Sequence, residues 1–415
     1  LVPESAINGR YESRYWTKLT DVLGSHKHPT NWLHIYVKDG LLPSAKKART
    51  LIQEINNRES GKQTHVTLAS FLSISLLLQT LKDWYKVQKL KKTVCKQVQL
   101  KSDYLWPLFE KDCQDSMSGI AAISNLQYFN LFERAMNELP VQKKGCYLQE
   151  NQGWEFGFIS SWRGAGHGKN LVGFPHSTVR YWDLRYFFDS RSYVSTCENN
   201  LPLPDYVGIN GSISKNSYID GGYPQEGLIE IEALRYLYLK NSCVSQIKNN
   251  KNRLQKKSLL VVGDYLKENT NKQLALLMTA FESIDQSVRY IIKPHPNCPI
   301  NMQDLPGLNC EISTQPIDEL LLMSDIVYSS AVTSAAVDAY CTGKPVITIL
   351  DGKSLNMSPL RGVSGVHFVS NAKELAIAIN GAEMSELEQR EDYFYLDPEL
   401  PRWRSLLGIG VQYSE

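Results

Sequence analysis

The spacing of apolar and polar positions divides this chain into two stretches of different clarity. In the first half, residues 30–37 (TNWLHIYV) suit a pleated surface, and residues 44–57 follow with helical spacing. Residues 118–138 place apolar side chains every three to four positions, which predicts a helix. Short apolar runs at 146–148, 156–159, 171–174 and 205–209 predict strands. The longest apolar stretch, residues 66–81, contains Ser70, Ser73, Ser75 and Gln79. It falls short of the ~20 mostly apolar residues a membrane-spanning helix needs, so it predicts a buried helix.

After residue 257 the rhythm is regular. Strands are predicted at 258–262, 288–292, 326–328 and 345–350, and helices at 274–284, 317–323, 333–341 and 372–379. Strands that alternate with helices imply an α/β fold built on parallel sheets. Residues 241–257 are polar, basic and without apolar periodicity, which reads as a linker. The predicted organisation is an acceptor-side Rossmann-like domain over 1–240, a linker over 241–257, a nucleotide-binding Rossmann-like domain over 258–383, and a tail over 384–415 that packs back across the junction.

A length of 415 residues fits two domains. A net charge of +2 argues for neither nucleic acid nor membrane as a global partner. The eight cysteines form no CxxC pair, so neither a zinc site nor a disulfide framework is expected, and a reducing compartment is. Residues 1–10 lack the apolar core of a secretory leader, which adds to the expectation of a cytoplasmic protein. One local feature stands apart: residues 82–96 are rich in lysine. The plain reading is a solvated helix face. The sharper one is peripheral contact with an anionic inner-membrane surface.

Candidate chemistry gathers where the second domain's strands end, the edge at which doubly wound sheets bind ligands. Gly263 closes one strand and leaves room for close approach, or merely for a tight turn. Lys293-Pro294-His295-Pro296 follows the next strand. The two prolines stiffen the loop, and the imidazole and Lys293 suit a phosphate; otherwise the histidine is incidental. Ser329, Ser330, Thr333 and Ser334 lie between a strand and a helix, with more hydroxyls than an N-cap requires. A KPHP loop followed by a serine pair resembles GT-B transferases that use CMP-sialic acid or CMP-Kdo, and also CDP-glycerol phosphotransferases. The resemblance covers roughly residues 258–350. It implies that His295, Ser329 and Ser330 hold the nucleotide phosphate and that Glu319 matches a ribose-binding carboxylate. Glu319 equally suits a first-turn acid that complements the helix dipole.

In the first half, the polar stretches offer Glu150, His176 and Asp220 as base or nucleophile, and Arg163 and Arg180 as partners for a sugar carboxylate or the acceptor. Each also has a structural reading: an ion pair for Glu150, a core histidine for His176, a turn for Asp220. Glu230 and Glu232 share one face if residues 227–237 form a strand. The ENQGWE, HSTVRYWDLRYF and EALRYLYL stretches resemble a family of bacterial surface-carbohydrate biosynthesis proteins, related in plan to retaining β-Kdo transferases. Together the resemblances imply a GT-B fold whose two domains face across a cleft. The implied activity transfers Kdo or a nonulosonic acid (sialic, legionaminic or pseudaminic) from a CMP donor to a glycan or lipid-linked glycan of the cell surface. No DxD-type motif is present, so no metal or other cofactor is expected. The alternatives are a GT-B transferase or epimerase that uses a UDP-sugar, and a non-catalytic glycan-binding protein.

Overall fold

The computed structural model describes residues 2–38, 40–58, 62–193, 200–240, 257–382 and 393–410. The linker predicted at 241–257 lies outside the described residues except for Lys257, and so does the tail over 384–392 and 411–415. The chain forms two compact units. The first comprises residues 1–174, 189–208 and 404–415, and the second residues 175–188 and 209–403. Residues 175–188 and 209–240, which the sequence groups with the first domain, thus cluster with the second unit.

The first unit holds strands β1 (Thr30–His34) and β2 (Gln63–Thr67), paired in parallel. It also holds β3 (Gly145–Leu148), β4 (Leu171–Phe174) and the start of β5 (Tyr206–Ile209), again parallel. Residues 156–159 are not the expected strand. They lie inside the Gly153–Gly164 helix, where Trp154, Phe158 and Trp162 recur at intervals of four. Phe158, Ile159 and Trp162 pack with Leu131, Phe132, Ala135 and Met136 of the Ile120–Glu138 helix.

The apolar stretch at 66–81 is also not a buried helix. It ends β2, passes through a 3-10 turn at Leu68–Phe71, and then starts a 28-residue helix, Ile74–Lys101, of which only Leu76 and Thr80 are buried. Ser73 caps this helix by accepting the Leu76 N–H. No described helix is long and apolar enough to cross a membrane.

In the second unit, β6 (Leu228–Glu230) precedes a fully parallel six-stranded sheet. Its strands are β7 (Ser258–Val262), β8 (Arg289–Lys293), β9 (Cys310–Ile312), β10 (Ile326–Ser330), β11 (Val346–Ile349) and β12 (Val366–Val369). Their spatial order is β12-β11-β10-β7-β8-β9. Read from β9, this is the 3-2-1-4-5-6 order of a doubly wound sheet, which reverses direction between β7 and β10. Both of these strands are buried along their full length, the pattern of parallel strands covered on both faces. Leu259, Val261, Ile292 and Tyr328 pack on one side with the Lys267–Ala280 and Ala372–Asn380 helices. Leu260, Ile291 and Val327 pack on the other with Tyr236, Val337 and Phe394. The α/β class with parallel sheets is therefore present as the sequence implies.

Glu232 does not share a strand face with Glu230, because β6 ends first. Glu232 is fully buried and accepts the backbone N–H groups of Arg402 and Trp403 at 3.0 and 3.1 Å. The Trp403 indole returns a bond to the Glu232 carbonyl at 2.9 Å.

Candidate functional site

The reversal point of the six-stranded sheet is pinned by Gln273. Its amide donates to the carbonyls of Val262 on β7 and Tyr328 on β10, at 3.2 and 3.1 Å. The loops leaving β7, β8 and β10 then bring Gly263, Asp264, His295 and Ser330 to one edge. Asp264, 2% exposed, ties this edge together. It accepts the Leu266 N–H at 2.9 Å, the Asn269 amide at 3.3 Å and the Ser330 hydroxyl, while its own N–H bonds to Thr270. An added Cβ at Gly263 would meet His295 N and Lys293 O at 3.5 Å, an ordinary contact, so the chain's own packing does not demand glycine there.

The serine pair is committed inward. Ser329 is fully buried with its hydroxyl 3.4 Å from that of Thr348, and the Ser330 proton goes to Asp264. The half-buried Thr333 and Ser334 remain nearer the surface, and their carbonyls accept the N–H groups of Ala336 and Val337 at 3.3 and 2.9 Å.

The KPHP loop is more open. His295 is half-buried and its Nδ1 accepts the Asn297 N–H at 3.1 Å. A neutral imidazole with Nδ1 so occupied carries its proton on Nε2, which makes Nε2 a donor. The Tyr265 ring lies edge-on, 6.3 Å from the imidazole. Pro296 is exposed. Lys293 donates to the Gln315 carbonyl, and burial holds its ammonium below the usual range against the opposing pull of Asp318.

A cavity of about 360 Å³ opens within the same unit, lined by Arg235, Tyr236, Tyr238, Asp318, Ser334 and Asp338 among others. Asp338 is the residue that sequence reasoning missed. It sits in the Ala335–Cys341 helix at 6% exposure, and burial pushes its carboxyl up to about 7, against a hydrogen bond from Tyr238 and the charge of Arg235. Its Oδ1 has no hydrogen-bond partner. A buried oxygen in that state has acceptor capacity to give to a ligand. Glu319 itself is exposed; the carboxylate from that helix turn which lines the cavity is its neighbour Asp318.

His176 lies in the same unit, buried, and burial followed by the charge of Arg235 lowers its pKa to about 4. Arg180 is half-buried on the same segment. Burial raises the Asp183 carboxyl, but hydrogen bonds from Arg185 and the charges of Arg185 and then Arg180 together hold it below the usual value. Asp220 is exposed and ends the Ser212–Asp220 helix.

Glu150 and Arg163 belong to the first unit. Glu150 is exposed; the buried carboxylate of its motif is Glu155. Glu155 accepts the N–H groups of Glu150 and Gln152 at 2.7 and 2.9 Å and caps the Gly153–Gly164 helix. Arg163 fastens the chain at 203–205, donating to the Leu203 carbonyl at 2.5 Å with Asp205 at 3.5 Å. A second cavity of about 400 Å³ in this unit is lined by Val87, Leu126, Phe129 and Phe156 among others, and holds none of the singled-out residues.

No protein-family model matches the chain, and no curated protein matches it. Among solved structures, a UDP-GlcNAc 2-epimerase from Methanocaldococcus jannaschii is 15% identical over 71% of this chain and 84% of its own, with a TM-score of 0.46. A UDP-forming α,α-trehalose-phosphate synthase from Burkholderia vietnamiensis is 12% identical over 90% of both chains, with a TM-score of 0.43. An Anabaena protein in complex with UDP and glucose is 14% identical over 90% of this chain and 86% of its own, with a TM-score of 0.40. Likeness at these scores carries no argument about the site, whose reading rests on its own geometry.

Proposed function

We propose that the chain is a glycosyl-processing enzyme of the GT-B kind that acts on a nucleotide sugar. In finer detail, it is a transferase that moves an acidic sugar, Kdo or a nonulosonic acid, from a CMP donor to a surface-glycan acceptor. The observation that carries the reading is His295: an Nε2 donor fixed at the ligand-binding edge of a doubly wound sheet, beside the reversal point. As the sugar–oxygen bond breaks, negative charge grows on the departing phosphate, and a preorganised N–H aimed at it lowers the barrier. Lys293 adds positive charge nearby. Asp338 Oδ1 can accept from a hydroxyl or amine of the donor, and Arg235 can meet the sugar carboxylate. His176, neutral at pH 7, is in the protonation state a general base requires, although a pKa of about 4 makes it a weak one.

The proximity of two cations, Lys293 and Arg235, to the acids of one cavity supports a second reading, a UDP-sugar enzyme, because a diphosphate carries more charge to neutralise. Thermal unfolding with CMP and with UDP separates the two. A higher melting temperature with CMP than with UDP at equal concentration is expected, and the reverse order moves the assignment to UDP. Transfer is expected to survive EDTA; loss of turnover that Mg²⁺ or Mn²⁺ restores would overturn metal independence.

A further inference from the structure

The Ile74–Lys101 helix puts Leu76 into the core but leaves most of the other apolar side chains of its first three turns exposed. Its inward face is tied by polar bonds: Asn130 to Thr80 at 3.2 Å, Asn130 to Asp83 at 3.4 Å, and Lys91 to Ser118 at 2.8 Å. Its outward face carries Ile74, Leu77, Leu78, Leu81 and Tyr85 at the i, i+3, i+4, i+7, i+11 spacing of one stripe. All five are exposed, Ile74 at 79% and Leu78 at 62%. Further along the same face come Lys89, Lys92 and Lys96, with Lys82 beside the stripe. The helix holds seven lysines and one acid, Asp83, which Lys86 pairs at 3.0 Å. That is a net +6 (7 − 1), in a chain whose total is +2.

We infer that this face is a docking surface for an anionic lipid bilayer, on which the helix lies flat. Charge complementarity selects the occupant. Clustered ammonium groups follow directly on an exposed apolar stripe, so the stripe enters the boundary between headgroups and acyl chains while the lysines stay with the phosphates. A second copy of the chain brings the same net positive helix and offers the lysines no complementary charge. The helix does not cross the bilayer, since its lysine half could not enter hydrocarbon.

The test is flotation of the full chain with vesicles of phosphatidylcholine alone and with vesicles of phosphatidylcholine mixed with phosphatidylglycerol. Binding to the anionic vesicles only, weakened by salt, is expected. Each lysine neutralised near the surface lowers partitioning about five-fold. Lys89→Glu with Lys92→Glu should therefore reduce binding by more than about ten-fold, and Leu78→Ser with Leu81→Ser should also reduce it. These side chains are exposed, so unchanged thermal unfolding checks that both variants fold. Equal binding to both vesicle types, no binding to either, or a concentration-dependent dimer abolished by the leucine variant would each overturn the inference.

Discussion

Asp338→Asn tests the cavity through thermodynamics before any substrate is known. The carboxyl titrates at about 7 in the folded chain because it is buried, against about 3.9 for an unperturbed aspartate. A raised folded value means the folded state binds the proton more tightly than the unfolded state. Stability from this group is therefore full at pH below about 4 and drains away as pH rises to about 7. Integrating the two titrations gives a cost of about 1–2 kcal/mol at pH 5 and about 4 kcal/mol at pH 8. Asparagine keeps an acceptor for Tyr238 and does not ionise. Whatever fixed cost its amide brings cancels when two pH values are compared, so the variant should gain about 2–3 kcal/mol on the wild type between pH 5 and pH 8. Urea unfolding at each half-unit of pH measures this difference. A variant-minus-wild-type difference that stays flat from pH 5 to 8 would show that Asp338 is not held in a protonated, buried state. Calorimetry on the same variant should show weaker nucleotide-sugar binding. Relief of this pH-dependent cost together with a loss of binding is how a site residue, as opposed to a packing residue, behaves.

Four other outcomes are expected. His295→Ala should lower CMP affinity about ten-fold or more by calorimetry, as loss of a hydrogen bond to a charged group does; unchanged affinity would remove the phosphate role. His176→Ala should cut single-turnover transfer by about 10² while CMP binding stays close to wild type, whereas Glu150→Gln and Asp220→Asn, both at exposed positions, should transfer normally. In the first unit, burial, and for His34 also the charge of the neighbouring His65, lowers the pKa of His34 to about 3 and of His65 to about 4. Folded values below the ordinary one mean the unfolded chain takes up protons first, so stability should fall as pH drops below about 6.5, by about 2 kcal/mol per histidine at pH 5; His65→Gln should flatten that slope in urea unfolding. Cys95 and Cys113 have sulfurs 3.7 Å apart on neighbouring helices, so mild oxidation should consume two thiols and give an intramolecular crosslink by peptide mapping, and a Cys113→Ser chain that forms the same product would refute the pairing.

The second unit's sheet was legible because parallel strands buried on both faces read as unbroken apolar runs, as in SLLVV at β7 and IVYSS at β10. The strand expected at 156–159 failed because a short apolar run has no period of its own, and Trp154, Phe158 and Trp162 set a helical one only over a longer window. The 66–81 stretch misled for another reason: hydrophobicity reports what could be buried, not what is, and this stretch buries Leu68 and Leu76 but turns Leu72, Leu77, Leu78 and Leu81 outward. At the site, the KPHP loop was visible as a motif. The inward commitment of Ser329 and Ser330 was not, because their partners Thr348 and Asp264 are brought to them only by the fold. Asp338 was invisible for the same reason: one acid in AAVDAY looks like surface until the neighbouring elements cover it.

The clasp between Glu232 and the Arg402–Trp403 backbone sets a limit on how the gene can be cut. Glu232 is a fully enclosed carboxylate whose backbone donors come from residues 170 and 171 positions downstream. A truncation that stops short of Trp403 would leave it without them, and a buried carboxylate stripped of its donors costs several kcal/mol, a large fraction of an ordinary domain's total stability. Expression trials should therefore treat residues 393–403 as inseparable from the sheet that begins at Ser258, and place tags and fusion partners beyond them.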